Sequence, residues 1–257
     1  VCPYVTGLAP EQNSFIAARI IQIAKAAKQL EPEKRCDPNI IVIVARNDLT
    51  LRQQIGQHAQ TLLSPLSRWP VDKLQLWAFI KDDGLPAHAF YASSTVSYFG
   101  GGTPLDEGNI SGSLSDISGA LTAFGAPVVA HAPGSRLVPP VDDAFNRVVV
   151  VLDGRQLDGL TSGQIAAYVS MITLAEVRVE AAPRDVDTIV NLFAVRKAGR
   201  TPPEDLTFWD RAYLGALYNA STQINIWMQR SVMEDRIEHA IDVLKLPEPP
   251  ADAPSAH

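Results

Sequence analysis

TSGQIAAYVSMITLAEV at 161–177, DVDTIVNLF at 185–193 and DLTFWDRAYLGALY at 205–218 form the stretch on which the fold turns. Thr161 followed by Gln164 has the form of a capping box: a hydroxyl accepts from the backbone of the first helical turn, and the amide reaches back. From Ile165 to Val177 apolar residues fall on nearly every face, so the spacing predicts a central, buried helix. Thr207 and Asp210 repeat the capping pattern before a second helix ending in Ala216, Leu217 and Tyr218. Such a cap is worth about 1–2 kcal/mol. Trp209, Tyr213, Leu217 and Tyr218 are expected to pack beneath the central helix.

Working outward, NIIVIVA at 39–45 and RVVVVL at 147–152 are β-branched runs of the kind found in strands buried on both faces. Before the first of them, Pro10 opens a helical pattern, with Ile16, Ile20, Ile23, Ala27 and Leu30 along one face. The short apolar run at 3–8, this helix and the strand at 39–45 together predict a parallel crossover unit. Residues 48–63 read as a helix with Leu51, Ile55, His58 and Leu62 on one stripe. LQLWAFI at 74–80 reads as a third strand, closed by a turn at 81–84. Residues 92–119, rich in Ser, Gly and Thr, read as a polar excursion or irregular hairpin. A last amphipathic helix is expected over 225–244, sealing the core or presenting Trp227 and Met228 to a partner. The tail at 247–257 has the composition of a disordered segment. No internal repeat is visible. The pattern gives one domain over 1–246, divisible into an N-terminal part at 1–141 and a helical part at 161–246.

Composition narrows the function classes. The 257 residues are 46% hydrophobic and 19% charged, as in an ordinary globular protein. A net charge of −6 argues against nucleic acid or an anionic membrane as the main partner. No run of about 18 apolar residues is present, so no membrane span is expected. The chain opens at Val1 without Met or a charged leader, as a mature exported form does, and as a trimmed chain also would. Cys2 and Cys36 are the two cysteines. In an exported protein they would pair, closing a loop of roughly 35 residues and stabilising by about 3–4 kcal/mol. In the cytosol they would remain two thiols. Neither has a His or second Cys at ligand spacing, so they are not read as a metal pair.

The stretch at 161–218 resembles the catalytic half of zincin peptidases of the matrixin type. In those proteins the zinc-binding helix is followed by a turn of the form S-I-M-N-P-F and then by L-T-x-x-D-x-x-x-L-x-x-L-Y. Thr188-Ile189-Val190-Asn191-Leu192-Phe193 is similar to the turn, and the run from Leu206 to Tyr218 matches the second motif. The chain also resembles a group of exported alphaproteobacterial proteins of unassigned activity. They share a C-x-P-N strand start (Cys36, Pro38, Asn39) and a V-V-V-L-D-x-x-x-L-x-G-L-T-x-G-Q block (Val149 to Gln164). The resemblance implies an α/β (α+β) domain of zincin-like architecture, with a mixed sheet of four or five strands, a central buried helix and C-terminal helices.

The peptidase chemistry does not follow. A zinc peptidase needs two His four residues apart on one helix face and a Glu to activate the metal-bound water. Overlaying that helix puts Ser170 and Leu174 at the His positions and Met171 at the Glu. The turn's Met is replaced by Val190, and residues 140–230 contain no His. His58, His88, His131, His239 and His257 are scattered without helical ligand spacing. Ser170 lacks a nucleophile elbow and a neighbouring His. Glu176 with Asp185 and Asp187 has the residue types of an acid/base pair, although a helix end and a cap explain them as well. Gly100 to Gly102 lack the Lys-Ser or Lys-Thr of a phosphate loop, and Asp153-Gly154 is a turn signal. The expectation is a pseudo-metallopeptidase without cofactor or metal, binding a protein partner in a periplasmic or outer-membrane complex. A metal-independent hydrolase and a small-ligand carrier using the vacated cleft are the alternatives.

Overall fold

The computed structural model describes residues 1–28, 37–63, 71–97, 141–177, 186–219 and 226–245. Leu30, Cys36, residues 98–119 of the polar stretch, Asp185, His131, His257 and the tail at 247–257 lie outside the described residues.

Two crossovers and one antiparallel edge build a four-stranded mixed sheet in the order β1-β2-β4-β3. Strand β1 (Pro3–Thr6) leads through helix α1 (Pro10–Lys28) to β2 (Ile40–Ala45), with Pro3 opposite Ile40 in parallel register. Strand β4 (Val141–Asp153) lies parallel to β2, Ile40 facing Val148. Strand β3 (Ala87–Ser97) runs antiparallel to β4 with an irregularity between Ala92 and Ser93. Residues 92–97 are therefore strand, not the start of an excursion. Their Ser-rich composition hides a pairing that β4 imposes from across the sheet.

Period-2 alternation of β-branched residues buries both sheet faces. Val148, Val150 and Leu152 join the core beneath α1, while Val149 and Val151 join the opposite core. That second core is covered by α2 (Asp48–Gln57), α3 (Ala59–Leu62) and α4 (Lys73–Ile80). Phe79 meets Phe90 edge-on there, with ring centroids 6.2 Å apart.

Helix α4 replaces the strand expected at 74–80. A seven-residue apolar run fits either state, and the cap decides. The Asp72 carboxylate accepts from Gln75 N at 2.8 Å, nucleating the first turn. Helical spacing then leaves only Phe79 buried, with Leu74 and Trp77 exposed.

The first face carries α1, α5 (Ser162–Ala175) and α7 (Phe208–Asn219), packed on one another. Between α5 and α7 the chain makes a 3-10 turn at Ile189–Asn191 and a short helix α6 (Leu192–Lys197). Every residue of α5 from Gln164 to Ala175 is buried. Thr161 Oγ1 accepts from Gln164 N, and Gln164 Oε1 from Thr161 N, each at 3.1 Å. Tyr213, Leu217 and Tyr218 pack against this core, whereas Trp209 faces solvent. It sits on the outer side of the first turn of α7, where it stacks edge-on with Phe208. Helix α8 (Ile226–Lys245) packs on α7, and among its described side chains none is fully buried. No helix among the described residues is long and apolar enough to cross a membrane.

Gly7, at φ +102°, ends β1 where a Cβ would lie 2.0 Å from the Val44 carbonyl oxygen. Gly7→Ala is expected to cost about 2–3 kcal/mol through a forbidden φ and a backbone clash, read as a lower urea midpoint at unchanged slope. Intact-mass measurement with and without reductant tests the expected Cys2–Cys36 pairing. A gain of two hydrogens on reduction is expected, and an unchanged mass counts against it.

Candidate functional site

The end of α5 is where the resemblance places metal chemistry. Ser170, Met171 and Leu174 are 0%, 3% and 6% exposed. Met171 and Leu174 belong to the main core. Ser170 Oγ donates to the Ala166 carbonyl at 2.7 Å and Thr173 Oγ1 to that of Val169 at 2.9 Å. These hydroxyls are spent on the preceding turn, which is how a buried helix satisfies them without water. Among the described residues no group of three or more His, Cys, Asp or Glu is placed to hold a metal.

The last carbonyls of a helix need partners from elsewhere. Two phenols supply them: Tyr91 of β3 donates to Ile172 O and Tyr218 of α7 to Leu174 O, each at 2.9 Å. Glu176 follows in the left-handed region at φ 51°. Desolvation raises its carboxyl pKa, and with its charge nearby the Tyr218 phenol is also raised, chiefly by its own burial. Glu176 has no hydrogen bond to Asp187, which is exposed. The Asp187 backbone carbonyl lies 2.8 Å from Thr207 Oγ1, whose one proton it shares with the Asp210 carboxylate.

Asp210 brings the two motifs of the resemblance together. Its buried carboxylate accepts from Thr188 Oγ1, from Ile189 N at 2.9 Å, and from Thr207 N at 2.8 Å and Oγ1 at 2.9 Å. Thr207 Oγ1 in turn accepts from Asp210 N at 3.3 Å. The side chain read from sequence as a helix cap is also the anchor of the 188–193 turn. One residue satisfies donors from two segments that could otherwise part.

A charged cluster that sequence reading did not find lies at the carboxyl ends of the parallel strands, where ligands gather in open α/β sheets. Arg52, 1% exposed, contacts Asp48 Oδ2 at 2.9 Å and the carbonyls of Phe79 and Lys81 at 2.6 and 2.8 Å. Arg155 bonds Asp153 at 2.8 Å through Nε and Asp48 at 3.3 Å through Nη2. Asp153 also caps the turn after β4, and its pKa is lowered by the hydrogen bonds from Arg155 and Gln156 despite opposing desolvation. His88 Nε2 lies 2.8 Å from Asp83 Oδ1, while the buried Nδ1 has no hydrogen-bond partner among the described residues. Burial lowers the His88 pKa, Arg52 adds to the effect, and Asp83 and Asp48 oppose it. Asp48 and Asp153 are neutralised by guanidinium groups and Asp83 by the Lys81 ammonium at 3.0 Å, and the two arginines tie α2 to the end of α4 and to the end of β4. Its members are spaced from 48 to 155 in the chain, without a local pattern to announce them.

The third feature is a groove beside α6. The helix ends in a Schellman arrangement: Gly199 N bonds Arg196 O at 2.9 Å and Arg200 N bonds Val195 O at 3.1 Å, with Gly199 at φ +71°. The reversal carries residues 200–203 back along the helix. It leaves two contiguous cavities of about 470 and 770 Å³ that share Val195 and Arg200 as walls. Sequence reading had no signal for this except Gly199 followed by Pro202 and Pro203, a helix stop.

No family model matches the chain, and no curated protein or solved structure matches it.

Asp210→Ala leaves the Ile189 and Thr207 amides and the Thr188 hydroxyl without their acceptor and is expected to cost about 3 kcal/mol in urea unfolding, with Asp210→Asn costing less. For His88 the folded-state pKa lies below its ordinary value, so the unfolded chain binds the extra proton first. Stability should therefore fall as pH drops below about 6.5 towards the folded value, and His88→Gln should flatten the slope of Tm over that window.

Proposed function

We propose that the chain is a non-catalytic protein of zincin-like architecture that acts by binding another protein, in the periplasm or at the outer-membrane surface. The observation that carries this reading is the joint state of the two halves of the motif. Asp210 holds the turn and the closing helix in one network, while the positions of the missing ligands are filled by packed side chains. A metal-bound water needs an open coordination position reached by substrate, and a helix buried from Gln164 to Ala175 offers no such space.

The order of elements supports the architecture. A crossover unit and an antiparallel edge strand precede the central helix, and the turn and closing helix follow it. Packing at 170–174 favours protein binding over a small-ligand carrier, because the cleft such a carrier would use is occupied. A metal-free hydrolase at Glu176 has little support, since Asp187 is exposed and not bonded to it. Surfaces suited to a partner are present: Leu74 and Trp77 on α4 and Met228 on α8 are all more than half exposed.

Metal analysis of protein grown and purified with zinc is expected to find far less than one zinc per chain, and chelation should leave Tm unchanged. Stoichiometric zinc, lost together with peptidase activity on chelation, overturns the proposal. Capture from native periplasm and membranes, followed by reconstitution of the complex from purified components, is expected to yield a protein partner.

A further inference from the structure

We infer that His88 and Asp83 form an acid-released latch: protonation of the buried imidazole opens the connection at 81–86 and the end of α4, while the sheet beneath stays paired. The inference is independent of what the molecule binds.

Geometry decides where the proton goes. The His88 side chain is 3% exposed, and its Nε2 lies 2.8 Å from Asp83 Oδ1. An ionised carboxylate only accepts, so the neutral ring carries its hydrogen on Nε2 and leaves Nδ1 as a bare lone pair. Asp83 stays ionised while imidazole titrates, because hydrogen bonds from Lys81, Leu85 N and His88 lower its pKa against the desolvation that raises it. The added proton therefore falls on Nδ1, which is buried and has no hydrogen-bond partner among the described residues. It creates a buried donor without an acceptor.

It also sets a second cation near the Arg52 guanidinium. Arg52 and Asp48 of α2 and Asp83 of the connection are the charges that act on the ring. Both carboxylates are already paired, Asp48 with Arg52 and Asp83 with Lys81. Helix α4 has only Lys73, at its far end, as a charged residue, and Val151 faces His88 from β4.

His88 is held in the β3–β4 ladder, so its ring becomes hydrated only when its cover moves. That cover is thinly anchored. Asp82 and Gly84 are exposed, and Gly84, at φ +68°, has open space around it. Helix α4 has eight residues and buries only Phe79, and its end is held by the Arg52 bonds to the Phe79 and Lys81 carbonyls. Few buried contacts mark a segment that opens below the global free energy. Once hydrated, the ring regains its ordinary pKa of about 6.5, whereas burial keeps the closed value lower. The open form therefore binds the proton first, and its share rises by up to about tenfold per pH unit below 6.5 until the closed pKa is reached. Opening parts Phe79 from Phe90 and bares apolar surface in acid.

Native-state hydrogen exchange of the intact protein at pH 7.5 and 5.5, with each rate corrected for its intrinsic pH dependence, tests the latch. Amides of residues 76–81 are expected to exchange through an opening more populated than the global unfolding reported by β2 and β4. That opening should grow about threefold to tenfold at the lower pH, with β2 and β4 still protected. His88→Gln keeps a donor for Asp83 without a titrating ring and should abolish the growth. Nitrogen NMR of the parent at pH 7.5 should show the hydrogen on Nε2. Exchange of 76–81 only together with β2 and β4 overturns the inference, as does an opening insensitive to pH, one equally sensitive in His88→Gln, or a hydrogen on Nδ1. If His88→Gln does not fold, the parent's two pH values and its tautomer still decide.

Discussion

Complete burial of α5 is the constraint from which the remaining structure follows. A helix with no wet face cannot lend its polar groups to water, so each must be satisfied inside the protein. Ser170 and Thr173 turn back on their own carbonyls, and Tyr91 and Tyr218 reach in from β3 and α7 to close the last turn. The edge strand and the closing helix are thus fixed by hydrogen bonds to the same few carbonyls. Asp210 then holds the intervening turn against the start of α7. Apolar burial supplies the driving force, but these polar contacts give the packing its single register.

The same constraint shapes what the molecule can do. Chemistry requires a group that is both activated and reachable, and along α5 the buried groups are unreachable while the reachable one, Glu176, has no hydrogen-bonded partner among the described residues. Features that face solvent lie elsewhere: the apolar face of α4, the half-covered helix α8 and the groove behind the Schellman turn.

Sequence alone carried the architecture wherever a local rule acts. The β-branched runs at 39–45 and 147–152, the Pro10 start of α1 and the Thr161/Gln164 box each fix an element within a few residues. It failed where a distant partner decides. The Ser-rich residues 92–97 pair because β4 lies beside them, and LQLWAFI, read as a strand, was lost to a nearer signal, the Asp72 cap two residues before it. Asp210 was legible as a cap but not as the anchor of a turn 22 residues away. The Asp48, Arg52, Asp83, His88, Asp153 and Arg155 cluster could not be read at all, since only the sheet brings its members together.

Native-state hydrogen exchange over α5 tests the central claim, that this helix is structural core and not a metal-binding or opening element, most directly. The account predicts that amides of residues 166–175 exchange only through global unfolding, at the same free energy as those of β2 and β4, and that added zinc changes nothing. Exchange through a lower-energy local opening, or added protection of these amides by zinc, would contradict it.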